Sequence, residues 1–132
     1  MAPFDWHPSL AVGYRPIDEQ HRHLFGLAES VLHPPRSDSP SEAGARSLVA
    51  IVDFTRQHFA FEEALMRESG YAERRGHAIL HASLLADLDL HRSIACNAQA
   101  ANWVAGTRFL YQWLYMHIRS ADRQLVGWIA QC

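Results

Sequence analysis

The chain has 132 residues, a hydrophobic fraction of 48% and a formal charge of −2, enough for one domain with one core and too little charge to suggest nucleic acid or an anionic membrane as partner. The N-terminus lacks a basic region followed by an apolar run, and His, Arg, Asp or Gln breaks each apolar stretch well before the roughly 20 residues of a membrane-spanning helix. A single cytoplasmic domain over residues 1–132 is expected, with Cys96 and Cys132 read as free thiols.

Residues 1–17 hold three prolines among scattered apolar side chains and predict an irregular arm packed on a helical body. Asp18 is placed to cap a first helix, with Ile17 as its staple and Leu24, Phe25, Leu27, Ala28, Val31 and Leu32 as its apolar stripe. Pro34 and Pro35 end it, and Ser39 or Ser41 offers a cap for the second helix. That helix is predicted to run to about Glu68, burying Leu48, Ile51, Val52, Phe59, Ala60 and Met66, with Gly70 as its C′ residue and Tyr71 packed over the corner. A third helix over 72–91 carries Ile79, Leu80, Leu84, Leu85 and Leu88 at helical period. The fourth starts near Ala98 and runs through Trp103, Phe109, Leu110, Trp113, Leu114 and His117. A short tail helix with Leu125, Val126, Trp128 and Ile129 is expected to fold back on the body. No strand alternation of useful length is present, so the predicted fold class is all-α, an up-down-up-down four-helix bundle with an irregular N-terminal arm and a short C-terminal tail helix.

Histidine is the outlier of the composition, at nine residues. His58 and Glu62 stand four apart, as do His77 and His81, and residues four apart on a helix lie about 40° apart on one face. Two helices therefore each offer a donor pair to one centre, and His21 and His117 complete it from two more. Asp122 fits less well: five residues from His117 is about 140° around a straight α-helix, so the helix must end, tighten or bulge near Ser120 and Ala121. Five core-facing imidazoles and two carboxylates would leave many buried polar atoms without partners, at about 1–3 kcal/mol each; a metal supplies one partner to all. His7, His23, His33 and His91 are assigned to solvent or local hydrogen bonds, and Glu63, Glu68, Asp87 and Asp89 to solvated helix faces. Imidazole and carboxylate without thiolate suit iron, zinc, manganese or copper. Seven protein donors are too many for one ion; with two octahedral ions they fill all but one of about twelve positions, once both carboxylates and one oxygen ligand bridge.

These residues resemble the hemerythrins, in particular the single-domain bacterial members. The likeness rests on Trp6, the run LAVGYRPIDEQH ending at His21, HFAFEEALM from His58 to Met66, the Gly70–Tyr71 pair, HAILH from His77 to His81, and WLYMHIRSAD from Trp113 to Asp122. It implies a metal set of His21, His58, Glu62, His77, His81, His117 and Asp122. His77, His81 and His117 would hold one iron and His21 and His58 the other, with Glu62, Asp122 and an oxo or hydroxo group bridging the two iron ions. It also implies dioxygen binding at the open iron, with one electron drawn from each iron, inside a dry pocket. Leu24 and Leu114, each one helical turn from a ligand, are the first choices for the pocket wall. Phe59, Trp113 and Ile118 resemble the family's other pocket positions, and core packing accounts for all five equally well.

The leading reading is reversible dioxygen binding for storage, delivery or sensing, without enzymatic activity, by a monomer. Nitric oxide is a further candidate ligand, and an oxygen-consuming partner protein is unidentified. Against it stand a di-iron redox enzyme, an oxidase, peroxidase or nitric oxide reductase, and a sensing module read by a separate partner. Five neutral imidazoles with two carboxylates favour the carrier, because anionic oxygen donors are what stabilise strongly oxidising iron. Tyr111 and Tyr115 are the candidates for acid–base work.

Overall fold

The computed structural model describes residues 5–32, 40–95 and 100–131, with side chains described over 5–30, 46–90 and 105–131. Helices α1 (Arg15–Leu32), α2 (Pro40–Ser69), α3 (Arg74–Ala95) and α4 (Ala100–His117) pack each on the next, and α4 closes back on α1. Residue numbers run in opposite directions across the α1–α2 and α2–α3 contacts: His21 meets His58 while His23 meets Phe54, and Glu63 meets His81 while Arg56 meets Asp89. Neighbouring helices are therefore antiparallel, the arrangement that short connections impose. A core of Leu24, Phe25, Leu48, Ile51, Phe59, Leu84, Leu88, Leu110, Leu114 and Ile118 fills the space between the four. No helix among the described residues is long and apolar enough to cross a membrane.

The arm is ordered by local chemistry. His7 caps a short 3₁₀ turn, Pro8–Leu10, through Nδ1, which accepts from the Ser9 amide at 3.1 Å, and Leu10 is buried in the core. Helix α1 starts three residues before the expected cap. Asp18 lies inside its first turn, where the carboxylate accepts from the amides of Val12 at 2.8 Å and Gly13 at 3.2 Å. It ties the arm to the helix rather than capping it, and Pro16 fills a first-turn position where its missing N–H costs nothing. Ile17 is thus a buried first-turn residue and no staple outside the helix.

At the far end of α2, Gly70 adopts φ +68°, its amide reaches the Arg67 carbonyl, and the Tyr71 amide reaches the Met66 carbonyl at 3.0 Å. This pair of bonds is the Schellman closure, which needs a left-handed residue at C′. Tyr71 then packs on Met66 and on Leu125 of the final helix.

Three further apolar residues and the course of the tail depart from expectation. Ile79 and Leu80 are 68% and 45% exposed and Ala60 is exposed, because the histidines claim the inward face. With His77, His81, Leu84 and Leu88 aligned on one stripe, Ile79 stands on the opposite side of α3, and Ala60 does the same on α2. The tail helix packs on the bundle, with Leu125 and Ile129 against Met66 and Tyr71, but it does so without reversing direction. Helix α4 passes through a five-residue π-helical turn, Ile118–Asp122, into α5 (Arg123–Ala130), with His117, Asp122 and Arg123 all in right-handed helical backbone. Val31, Leu32, His91 and Trp103 have side chains outside the described set, and Cys96, Cys132, His33 and Ser39 lie outside the described residues, as does the side chain of Ser41.

Candidate metal centre

The α-helical pairs supply four donors with no local adjustment: His58 and Glu62 from α2, and His77 and His81 from α3. His21 comes from α1 and His117 from the end of α4. The π turn solves the Asp122 problem. Its wider helix carries about one extra residue per turn, so the five-residue step from His117 brings Asp122 back to the same face. Both sit in the bundle interior, with Asp122 fully buried.

All seven side chains meet. The Nε2 atom of His117 lies 3.0 Å from that of His77 and 3.2 Å from that of His81, and the Nε2 atoms of His21 and His58 are 3.1 Å apart. Each carboxylate divides its oxygens between these groups. Glu62 Oε1 stands 3.3 Å from His77 and 3.2 Å from His81, while Oε2 stands 3.0 Å from His58. Asp122 Oδ1 is 3.1 Å from both His77 and His117, and Oδ2 is 3.1 Å from His21. Two donor groups result: Glu62, His77, His81, His117 and Asp122 in one, and His21, His58, Glu62 and Asp122 in the other.

Neither oxygen of Glu62 nor of Asp122 makes a hydrogen bond of acceptable geometry, although all four are buried. His58 and His81 donate Nδ1–H outward, at 2.6 Å to Gln20 Oε1 and 3.1 Å to Glu63 Oε2, which leaves their Nε2 lone pairs facing the cluster. Donor atoms about 3.0 Å apart are what neighbouring corners of an octahedron with bonds of about 2.1 Å require. The residues fit a cation at each group.

Charge points the same way. Burial favours neutral His21 and His77, but the close approach of the Asp122 and Glu62 carboxylates outweighs it and raises both to about 9. Burial likewise opposes ionisation of Glu62 and Asp122, and the surrounding imidazoles overcome it and hold both below the usual carboxylate range. His117 goes the other way, since burial dominates and lowers it. Without a metal the buried negative charge is balanced by protons on His21 and His77, and ligation requires those imidazoles neutral. Metal loading near pH 7 is therefore expected to release about two protons per chain from these histidines, fewer as pH rises through 9. Calorimetry in buffers of different ionisation enthalpy measures this, and a release that does not fall with pH would refute it.

Aromatic rings stack behind two of the clustered histidines. Phe59 stacks on His81 at 3.7 Å with rings 2° from parallel, and Trp113 stacks on His117 at 4.2 Å. Leu24, Phe59, Leu114 and Ile118 are buried in one continuous core. Trp113 is half-buried, and together with His117 it borders a groove of about 380 Å³ with Leu80, Phe109, Gln112, Met116 and Ser120. Of the remaining histidines, His7 bonds locally and the exposed His23 packs on Phe54 at 4.3 Å. Two acidic residues are not simply solvated: Asp89 pairs with Arg56 at 2.6 Å, and Glu63 reaches His81. Gln20 and Glu63 are the site residues that periodicity alone does not pick out.

Residues 12–129 match the family model described as the hemerythrin HHE cation binding domain. The chain is 31% identical to the bacteriohemerythrin of Pseudomonas paraeruginosa over 123 residues, 92% of this chain and 78% of that protein. It is 29% identical to hemerythrin subunit 2 of Golfingia vulgaris over 125 residues, covering 95% and 92%. A hemerythrin-like protein of Naegleria gruberi is 26% identical over 126 residues, covering 96% and 93%. The family match takes in all seven clustered donors and the helices that present them, and the chain belongs to the hemerythrin family.

Proposed function

We propose that this protein binds dioxygen reversibly at a non-haem di-iron centre, for oxygen storage, delivery or sensing. The observation that carries the reading is the inequality of the two donor groups, five side chains against four, with both carboxylates common to the two. His77, His81 and His117 would hold one iron, His21 and His58 the other, and Glu62 and Asp122 would bridge. With six positions per ion and one further shared oxygen ligand, the first group is complete and the second is one short. When bound, the iron pair supplies the two electrons that dioxygen draws on binding.

The chain's own task is to keep that position dry and the ligands fixed. Phe59 lies against His58, His81 and His117, Leu24, Leu114 and Ile118 of the same buried core would complete an apolar wall, and exclusion of water would protect the reduced state. The stacked Phe59 and Trp113 restrict rotation of His81 and His117. Five imidazoles against two carboxylates favour a binder over an oxidising catalyst. The Tyr115 hydroxyl, one acid–base candidate, accepts from Arg119 at 3.2 Å.

The test is the visible spectrum of iron(II)-loaded protein, recorded anaerobically, with oxygen, and after oxygen is removed under argon. An absorption band that appears with oxygen and disappears without it supports a reversible binder; one-way conversion to iron(III) supports a redox enzyme or a sensor that works by oxidation. Leu114→Ala is expected to lower stability by about 2–5 kcal/mol and to hasten autoxidation at unchanged iron content. An unaltered autoxidation rate would remove Leu114 from the pocket wall.

A further inference from the structure

We propose that Glu63 is a positioning residue that makes the two halves of the metal centre electronically unequal, an inference that rests on the di-iron reading above. Glu63 follows the buried Glu62 on α2, and its own carboxylate crosses to α3, where Oε2 accepts the Nδ1–H of His81 at 3.1 Å. The acceptor is 34% exposed on its side chain, while His81 is 1% exposed. On the other half, the corresponding acceptor is Gln20, whose Oε1 takes the Nδ1–H of His58 at 2.6 Å.

The two acceptors differ in charge. A carboxylate draws the Nδ1 proton more strongly than a neutral amide does, and the imidazole becomes a more basic donor at Nε2. His21 and His77 have Nδ1 atoms that are buried without a hydrogen-bond partner. His81 is thus tied to an anion, His58 to a dipole, and His21 and His77 to neither. The half that contains His81 receives more electron density and holds a higher metal charge more easily. Charge-assisted bonding also fixes the ring: Phe59 stacks on one face of His81 and Glu63 anchors its outer edge. The carboxylate itself borders a groove of about 220 Å³ with Arg67, Arg74 and Arg75, so it can be altered without opening the core.

Glu63→Gln keeps the shape and the acceptor oxygen but removes the charge, and Glu63→Ala removes the acceptor. In iron-loaded protein titrated anaerobically with redox mediators, Glu63→Gln is expected to cut the oxidised-to-reduced ratio of one iron couple about tenfold at fixed potential, 59 mV for one electron. The thermal midpoint of the metal-free variant stays at the parent value, which separates a change in the metal's electronics from a structural fault. Glu63→Ala is expected to weaken metal retention against a chelator by roughly 10–100-fold. Parent protein with two irons whose couples do not move in Glu63→Gln, and whose metal retention does not change in Glu63→Ala, overturns the role of Glu63 alone. Parent protein that takes up no iron overturns both this role and the di-iron reading.

Discussion

Glu62→Gln is expected to strip metal from both halves of the centre at once. Glu62 places one oxygen beside His77 and His81 and the other beside His58. The amide has nearly the same volume, so the core packs as before, but it offers one weak, uncharged oxygen donor and an NH₂ group that cannot ligate a cation. Removing an outer partner of a metal ligand costs roughly 10–100-fold in affinity, and the loss of a shared ligand is expected to exceed that range. Iron per chain after gel filtration with chelator measures it, and two retained irons would show that Glu62 is not a shared ligand.

The second large effect is on stability. Metal that binds the folded chain at 1,000 times its dissociation constant adds about 4.1 kcal/mol. At roughly 3–5 °C per kcal/mol for a chain of this size, chelation is expected to lower the thermal midpoint by roughly 12–20 °C. The stripped protein stays helical, because its core of buried Leu, Ile and Phe side chains does not depend on the ion. Calorimetry with and without chelator is the measurement; equal midpoints would mean that no metal is held.

The clustered histidines and carboxylates are legible in the sequence because the i, i+4 rule needs only a helix to act on. His58 with Glu62 and His77 with His81 follow from spacing alone. The offset between His117 and Asp122 predicts a break near Ser120 and Ala121, and the π turn Ile118–Asp122 falls there. What spacing does not reveal is that such a turn lets the helix continue, which is why α5 extends α4 instead of folding back. The exposure of Ile79 and Leu80 has a related cause. An apolar period and a histidine period compete for one inward stripe on α3, and ligand pairs that must converge with those of other helices set the rotation. Asp18 misleads because a carboxylate before an apolar run suits an N-cap, whereas here it binds the amides of Val12 and Gly13. Glu63 looks like any solvated helix-face charge until the rotation of α2 against α3 is known. Its contact with His81 is a property of packing and has no signature in local sequence.

Anomalous diffraction at the iron edge, from crystals of the iron-loaded protein, tests the centre most directly. Two peaks about 3–4 Å apart are expected, one against His77, His81 and His117, the other against His21 and His58, with Glu62 and Asp122 touching both. A single peak, or two that do not share the carboxylates, would contradict that arrangement.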